Sequence, residues 1–594
     1  MQGSSHPINA TQFAANMAQA SELWQRIMGR LAGTQFGKTA IGQTDPLSFA
    51  ESLLHNMRHI SLDPMQVLES NMALFAEHTK LWHNITAKML GREATPLIIE
   101  SPRDRRFKDA AWNENPVFDL IKQSYLINSE YLMHNTGKLQ GLEPKDKHKM
   151  NFFVRQFVDA MSPSNFVVTN PEVMRTTLES NGENLVNGLT QLLEDIERGD
   201  GKLRISMTDE QAFTLGKNIA TSKGSVVYRN ELMELMQFDA TTKQVYEIPI
   251  LITPAWINKY YVLDLREENS LVRWLTKQGF TVFVISWVNP DQKLGRKGFE
   301  DYLLQGPLAA LDVVESITGS KKTHMVGYCL GGTLTAITNA YLKAHKEDHR
   351  VASASYLATL VDFSDVGDIA VFIDDSQLDS LEDRMSEQGY LDAADMASTF
   401  NMLRANDLIW SFVVNNYLLG KNPFPFDLLY WNSDSTRMPA TMHAFYLRNM
   451  YQQNLLIKPN GIELVGTPIN LTKITVPSYI LSTKDDHIAP WISTYAATQA
   501  YDGEVCFTLA DSGHIAGVIN PPSKAKYCYW TNHETPPKAK HWFEEAQKHE
   551  GSWWPHWQAW LASRSGKKVP ARAVGNKRYK PIEPAPGSYA KVRA

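Results

Sequence analysis

The chain has 594 residues, of which 43% are hydrophobic and 21% charged, a balance that lets a globular protein bury a large core. This length exceeds that of one ordinary domain and predicts about two to four domain-sized units. The formal net charge of -5, without a long basic stripe, argues against a nucleic-acid partner.

Cysteine usage and hydropathy indicate the cellular setting. The cysteines are Cys329, Cys506 and Cys528, too few for a disulfide framework, and they form no CxxC pair for zinc. Such usage is typical of a reducing compartment. Residues 1–40 lack a cationic patch followed by an apolar run, and no stretch approaches the ~20 continuous apolar residues of a membrane span. We therefore expect a cytoplasmic chain without a signal peptide, a transmembrane segment or a metal site.

The first part of the chain is predicted to be mainly helical. Apolar residues recur at roughly helical spacing between residues 63 and 90. Further amphipathic patterns follow at residues 116–161 and 172–198, and the last ends near the glycines at 199 and 201. We assign residues 1–205 to a mainly helical N-terminal domain.

Beyond residue 205, short β-rich apolar runs alternate with longer helical patterns. Near-continuous apolar strands separated by helices indicate a mostly parallel sheet that is covered on both faces. Residues 206–594 are therefore predicted to form an α/β catalytic domain. The predicted strands are residues 248–253, 281–286, 323–326, 351–357, 476–482 and 504–509.

Two other segments of this domain have distinct patterns. The connection at about residues 363–474 is far longer than one crossover needs and is rich in aromatic residues. We predict that it forms an inserted helical cap over the carboxyl edge of the sheet, where α/β proteins bind ligands. The chain from about Lys567 onward is rich in proline and charge, and is predicted to be a loosely packed terminus.

A nucleophile motif follows the third predicted strand. The sequence GYCLGG at residues 327–332 lies between that strand and a helical pattern at 333–345. This strand–turn–helix context is required for the nucleophile elbow G-x-S-x-G of α/β hydrolases, here with the sulfur of Cys329 in place of a hydroxyl. Glycines on either side avoid clashes across the tight turn, and the helix N terminus favours a thiolate. The context disfavours the alternative of a small buried cysteine beside a packing glycine.

Candidate acid and base residues follow the last two predicted strands. The α/β-hydrolase order is nucleophile, acid, base. The fifth strand is followed by Asp485 and Asp486, and the sixth by His514, all at the same sheet edge as the elbow. Spacing alone leaves the choice between Asp485 and Asp486 open. The alternatives are that Asp486 caps a helix and that His514 is a packed loop residue. Because the nucleophile, the acid and the base occur together in the expected order, both alternatives are disfavoured.

These residue types predict nucleophilic acyl transfer. His514 would remove the proton of the Cys329 thiol, the thiolate would attack an acyl carbonyl, and a carboxylate would orient the imidazole. Because thiolate attack on a thioester is nearly an even exchange, a cysteine enzyme is suited to passing acyl groups onward.

The developing oxyanion requires backbone N–H donors. Leu330, directly after the nucleophile, is one candidate. The second is expected in the loop at residues 254–258, which contains Ile257 and Asn258. The Asn258 side chain is a further candidate for positioning the oxyanion or the thioester.

Segments spread through nearly the whole chain carry a family resemblance. They include PAWINKYYVLD (254–264), GYCLGG (327–332), FDLLYWNS (426–433), DHI (486–488), GHIAGVINPP (513–522) and GSWWP (551–555). In these segments the chain resembles the polyhydroxyalkanoate (PHA) synthases, specifically the class I, single-subunit type, or poly(3-hydroxybutyrate) polymerase family. Tyr328 before the nucleophile and the chain length favour the short-chain class over the medium-chain class.

The resemblance implies a site and a reaction. It implies Cys329 as the nucleophile, His514 as its activator and Asp486, the aspartate of the DHI segment, as the acid, which helps to activate the 3-hydroxyl of the incoming monomer directly or through His514. The implied substrate is (R)-3-hydroxyacyl-CoA, chiefly 3-hydroxybutyryl-CoA. The implied products are polyester and free CoA, with no metal or cofactor.

The resemblance also implies an assembly. Such synthases work as homodimers on the surface of cytoplasmic polyester granules, in contact with the growing polyester chain. The N-terminal helical domain is linked to granule binding and dimer stability, and granule-associated phasin proteins are further expected partners.

Alternatives remain at the level of function and of single residues. A thioesterase or depolymerase would use the same triad with water as acceptor, because fold does not fix the acceptor. A non-catalytic granule scaffold is the third hypothesis. Asp264 is a second candidate acid, but it precedes the elbow. His487 is either a group that supports Asp486 or a packed loop residue, with the packed residue favoured. Trp256 in the oxyanion loop leaves the pocket shape open.

Overall fold

The computed structural model describes residues 9–33, 64–101 and 104–594, so that residues 1–8, 34–63 and 102–103 of the predicted N-terminal domain lie outside the described residues. The chain forms two compact units. The first contains the described residues up to Asp209 together with Ser398–Phe424, and the second contains Glu210–Ala397 and Pro425–Ala594. Part of the predicted cap thus belongs to the first unit. The boundary at residue 205 and the cap at 363–474 stay predictions.

The first unit is built mainly from helices, as predicted. Asparagine and proline set two of the helix starts. The Asn115 side chain accepts a hydrogen bond from the amide of Val117, and the Asn170 side chain accepts from the amides of Glu172 and Val173. Each asparagine directly precedes a proline at the first position of its helix. The helices are α1 (Ala10–Gly33), α2 (Pro64–Met89), α3 (Ala111–Glu114), α4 (Pro116–Lys138), α5 (Pro144–Ala160), α6 (Pro171–Glu179) and α7 (Glu183–Arg198).

An 11-stranded sheet organises the second unit. Its central strands are short apolar runs that are buried along their whole length, as expected for strands covered on both faces. The strands of this unit are β1 (Gly224–Arg229), β2 (Met233–Phe238), β3 (Gln244–Tyr246), β4 (Ile250–Thr253), β5 (Val282–Trp287), β6 (Thr323–Tyr328), β7 (Val351–Leu357), β8 (Tyr390–Leu391), β9 (Met438–Pro439), β10 (Ile462–Leu464), β11 (Thr467–Ile469), β12 (Ser478–Thr483), β13 (Val505–Ala510), β14 (Cys528–Thr531), β15 (Gln547–Glu550), β16 (Lys568–Pro570) and β17 (Glu583–Pro584).

The order of the large sheet is β15-β14-β13-β12-β7-β6-β4-β5-β2-β1-β17. The strands from β13 to β5 pair in parallel, and these are the six strands that the sequence predicts. The flanking strands β14, β15, β2, β1 and β17 pair antiparallel. Since β6 lies between β4 and β7, its carboxyl end opens at the centre of the sheet.

Helices cover this sheet. The α-helices of the second unit are α8 (Leu271–Lys277), α9 (Phe299–Leu303), α10 (Ala309–Thr318), α11 (Leu330–Ala344), α12 (Asp375–Gln388), α14 (Asp427–Asn432), α15 (Ala440–Tyr446), α16 (Trp491–Tyr495), α17 (Ala497–Ala500), α18 (Ala539–Glu544) and α19 (Trp554–Ala562), and α13 (Ala393–Leu403) spans the boundary between the units. Helix α11 starts directly after β6 and is buried along most of its length. A continuous apolar core joins the sheet to its helices and includes three tryptophans of the GSWWP region, Trp553, Trp554 and Trp557. Within the described ranges, every helix is too short or too polar to cross a membrane.

The prediction of a loosely packed terminus is wrong. Strand β16 pairs with β3, and β17 extends the large sheet beside β1. Ala590 is fully buried, and the Tyr589 hydroxyl donates to the carbonyl of Asn230 at 2.6 Å. Proline and charge suggested a loose tail, but backbone pairing with edge strands and a few anchoring side chains hold it in place.

Candidate active site

Cys329 lies in the sharp turn between β6 and α11. Its backbone adopts φ 54° and ψ -125°, a left-handed conformation that is strained for a residue with a Cβ. The turn is held because the Cys329 amide donates to the carbonyl of Leu357 at 2.9 Å, while the Cys329 carbonyl accepts from the amide of Gly332 at 2.8 Å. The strained position matches the predicted elbow and leaves the partly buried thiol at the carboxyl edge of the sheet.

The glycines around the elbow are required by contact distance. A Cβ on Gly327 would lie 2.3 Å from the Cα of Gly332, across the turn. A Cβ on Gly331 would lie 2.0 Å from the carbonyl oxygen of Thr253, at the end of β4. Neither backbone neighbour can move without separating strand from helix, so these positions exclude side chains, as the motif predicts.

His514 and Asp486 form a buried pair beside this turn. The Nδ1 of His514 donates to Oδ2 of Asp486 at 2.7 Å. This bond assigns the proton to Nδ1 and leaves Nε2 as an acceptor, and Cys329 is close enough for its charge to act on the imidazole. The structure therefore brings together Cys329, His514 and Asp486 in the order predicted from the sequence.

Further hydrogen bonds fix the Asp486 carboxylate. Its Oδ1 accepts from the amides of Ile488 and Ala489, both at 2.9 Å, and its Oδ2 also accepts from the Thr483 hydroxyl at 2.9 Å. Asp485 is exposed, and its amide donates to the carbonyl of Ser512. The geometry therefore favours Asp486 over Asp485 as the acid, because Asp486 is buried and contacts His514 whereas Asp485 is exposed.

Electrostatics couple the pair. Burial alone would raise the pKa of Asp486, but the neighbouring His514 and the backbone amides lower it below its usual value. Burial alone would lower the pKa of His514, but the charges of Asp486 and Cys329 and the hydrogen bond to Asp486 raise it well above its usual value. The arrangement stabilises the charged form of the His514 imidazole.

Tyr328, the residue before the nucleophile, supports the imidazole from its other side. Its ring stacks on that of His514 with centroids 5.5 Å apart, and its hydroxyl donates to the His514 carbonyl at 3.3 Å. Burial, together with the charges of Cys329 and Asp486, raises the pKa of Tyr328 well above its usual value. The hydroxyl therefore stays a neutral donor.

Two tyrosines that sequence reasoning missed lie within electrostatic range of the thiol. The rings of Tyr446 and Tyr451 pack edge-on with centroids 5.2 Å apart, and burial raises the pKa of both, with the charge of Cys329 adding to the effect. Phe363 packs edge-on against both rings, at centroid distances of 6.1 and 5.0 Å. They carry no motif; only the aromatic richness of the predicted cap pointed to such residues.

The candidate oxyanion donors occupy two elements. Leu330 opens α11, so its amide is among the first N–H groups of a helix, which have no acceptor within the helix. The loop at residues 254–258 begins against the first turn of α11, as the short approach of Gly331 to Pro254 shows. The carbonyl of Ile257 accepts from the amide of Thr436 at 3.0 Å.

The Asn258 side chain is engaged elsewhere. Its Nδ2 donates to the carbonyls of Trp431 and Asn432 at 3.2 and 3.4 Å. Asp264, the alternative acid, is buried and accepts from the hydroxyls of Ser222 and Ser270 at 2.5 and 2.6 Å. In the structure these two polar residues hold loops together.

Comparison with known proteins places the chain among enzymes of one kind. Residues 103–275 match the family described as "Poly-beta-hydroxybutyrate polymerase (PhaC) N-terminus". Residues 248–521 match the family described as "alpha/beta hydrolase fold", which confirms the predicted fold class.

Three relatives are similar over most of their length. The poly(3-hydroxyalkanoate) polymerase of Methylorubrum extorquens is 46% identical over 90% of this chain and 88% of its own. The poly(3-hydroxyalkanoate) polymerase subunit PhaC of Rhizobium meliloti is 44% identical over 98% and 95%. That of Cupriavidus necator is 40% identical over 90% of each chain. The chain therefore belongs to the poly(3-hydroxyalkanoate) polymerases, acyltransferases built on the α/β-hydrolase fold.

Proposed function

We propose that the chain is a class I PHA synthase that polymerises (R)-3-hydroxyacyl-CoA, chiefly 3-hydroxybutyryl-CoA, through an acyl-Cys329 intermediate. The observation that carries the proposal is the hydrogen-bonded pair of Asp486 and His514 beside a thiol on a strained elbow. The similarity to poly(3-hydroxyalkanoate) polymerases supports the polyester product.

Acylation starts with proton transfer from the Cys329 thiol to Nε2 of His514. The sulfur then attacks the thioester carbonyl, and a new S–C bond forms as the carbonyl oxygen becomes an oxyanion. The amide of Leu330 and a donor from the loop at residues 254–258, with Ile257 and Asn258 as candidates, stabilise that oxyanion. When the intermediate collapses, the bond to the CoA sulfur breaks, and the leaving thiolate takes the proton from His514.

In elongation Cys329 is the leaving group, and a hydroxyl is the nucleophile. The 3-hydroxyl of the next unit gives its proton to His514, and its oxygen attacks the acyl carbonyl. An ester bond forms, the bond to Cys329 breaks, and the returning proton restores the thiol. Asp486 keeps the imidazole oriented in both steps, since its Oδ1 is fixed by two amides while Oδ2 accepts from Nδ1.

The same triad would hydrolyse thioesters if water were the acceptor. We expect the cysteine nucleophile and the aromatic residues whose pKa its charge affects, Tyr328, Tyr446 and Tyr451, to favour transfer, because aromatic rings leave less space for water than polar side chains do. Incubation with (R)-3-hydroxybutyryl-CoA tests this. Insoluble polyester with free CoA supports the synthase, whereas stoichiometric free 3-hydroxybutyrate would identify a thioesterase.

The nucleophile is tested with matched cysteine variants. We expect Cys329→Ala to abolish CoA release, and Cys506→Ala to retain it. Burial raises the pKa of Cys506 to about 11 and also raises that of Cys528, so neither thiol ionises readily at neutral pH. CoA release by Cys329→Ala above the background rate would refute the assignment.

The proposal extends to assembly. We infer a homodimer in the cytoplasm on the surface of polyester granules, with residues 1–205 as the N-terminal domain and residues 206–594 as the catalytic domain, and with phasin proteins as further partners. Sedimentation with and without substrate tests this assembly: a monomer that stays off newly formed polyester would contradict it.

A further inference from the structure

A buried lysine lies directly behind the loop expected to supply the second oxyanion donor. Lys259 follows Asn258, and only 1% of its side chain is exposed. Burial lowers the pKa of Lys259. Burying an ammonium group is costly unless it is paired, and an apolar side chain of similar length would fill the same space. The presence of a charge here therefore needs a reason beyond packing.

Three groups surround the ammonium. Its Nζ lies 4.0 Å from Oδ1 of Asp434, whose own side chain is fully buried. Nζ also donates to the carbonyl of Val592 and, at 3.5 Å, to that of Ala590. The other oxygen of Asp434 accepts from the Tyr261 hydroxyl at 2.7 Å. We call Lys259, Asp434 and the carbonyls of Ala590 and Val592 the lysine bracket.

Trp431 holds one end of the oxyanion loop, at the backbone of the lysine whose side chain enters the bracket. The carbonyl of Lys259 accepts from Nε1 of Trp431 at 2.6 Å, and the preceding Asn258 donates back to the carbonyl of Trp431. The other end is fixed at Pro254, whose carbonyl accepts from Nε1 of Trp287 at 2.8 Å. The short segment between Pro254 and Lys259 is therefore anchored at both ends, by Trp287 at Pro254 and by Trp431 at Lys259, whose side chain belongs to the bracket.

We propose that Lys259 is a positioning residue for acyl transfer, because the lysine bracket sets the place of the loop at residues 254–258 and thereby of its oxyanion donor. The inference rests on the proposed function, since it requires a tetrahedral oxyanion at Cys329. It assigns a role in catalysis to the tail segment that supplies the Ala590 and Val592 carbonyls.

Lys259→Met tests the inference, because methionine keeps much of the stem and removes the charge and the donors. Two rates are measured on full-length protein. The first is CoA release in the first turnover with (R)-3-hydroxybutyryl-CoA, which passes through an oxyanion. The second is alkylation of Cys329 by iodoacetamide, a direct displacement that forms none. We expect the first rate to fall about 10- to 100-fold, since a displacement of ~1 Å can cost about 10²-fold, and the second to be unchanged.

Two further variants sharpen the result. Lys259→Met with Asp434→Asn leaves no unpaired buried charge, so it should fold even if the single variant does not, and should show the same selective loss. Arg572→Met is the matched control, because the Arg572 guanidinium also joins the tail to carbonyls, those of Tyr246 and Glu247 at 3.2 and 2.6 Å, but away from the site. The control should keep the wild-type ratio of the two rates.

The outcomes separate the inference from the proposed function. Wild-type CoA release in the single or double Lys259 variant would overturn the inference alone, and so would an equal fall of both rates, which indicates a general structural role. A wild-type protein that acylates no cysteine would overturn both.

Discussion

The substitution Asp486→Asn tests the triad because the structure fixes how the amide must lie. Oδ1 accepts from two backbone amides, those of Ile488 and Ala489, so the carbonyl oxygen of an asparagine has to remain there. The NH₂ group then takes the position of Oδ2, 2.7 Å from Nδ1 of His514. Two N–H groups cannot share that contact. The proton therefore leaves Nδ1 for Nε2, and the imidazole presents a donor to the Cys329 sulfur where it needs an acceptor.

The expected fall in the acylation rate follows from the loss of His514 as a general base. General-base catalysis contributes about 10²- to 10⁴-fold, which corresponds to ~3–5 kcal/mol of activation free energy. The charge that raises the pKa of His514 is removed as well, so the imidazolium formed on proton transfer loses its partner. We expect the rate of acylation of Cys329 by Asp486→Asn to fall by that factor.

The assay is rapid mixing with (R)-3-hydroxybutyryl-CoA and measurement of CoA released in the first turnover. Asp485→Asn is the matched control, since this neighbouring carboxylate is exposed and should be dispensable. Circular dichroism checks that both variants fold. First-turnover rates near wild type in Asp486→Asn, or a larger loss in Asp485→Asn, would refute the assignment of the acid.

Two further predictions concern the elbow and the histidine. Gly331→Ala should slow acylation and destabilise the fold by about 1–3 kcal/mol, because the added Cβ would lie 2.0 Å from the Thr253 carbonyl oxygen. Gly137→Ala is the control and should not destabilise the fold, because nothing lies within 4 Å of the added Cβ. Denaturant unfolding compares the two variants. The pKa of His514 is raised above its unfolded value of 6.5, so its stabilisation is complete below that pH and is lost as pH rises through the folded pKa. The stability gap between wild type and His514→Gln should therefore shrink with rising pH, and a constant gap would contradict this.

The sequence predicted the central sheet because strands that are buried on both faces have near-continuous runs of apolar residues. The strand at residues 351–357 was predicted to the residue, and the other five to within about two residues at either end. The flanking antiparallel strands were missed. Strand β15, for example, reads Gln547–Glu550, without an apolar run, and β17 has two residues. Their pairing depends on which edge is available, which is not a local property.

The candidate site was predictable where chemistry follows strand order. Cys329 and His514 were found from their places after strands, but Asp485 and Asp486 are adjacent and equivalent in spacing. The tight turn after β12 decides between them, because it exposes one carboxylate and directs the other to two amides and His514. A turn of this kind is a matter of backbone geometry that two neighbouring aspartates do not encode.

The motifs of the sequence do not predict which molecule accepts the acyl group. An elbow cysteine, a histidine and an aspartate activate any acceptor that reaches the acyl carbonyl, so the choice between water and a hydroxyl depends on what surrounds the thiol. Tyr446 and Tyr451 come from a segment without a catalytic motif, and only the structure reveals that the charge of Cys329 acts on them. We therefore expect the choice of acceptor to depend less on the triad than on aromatic residues such as these.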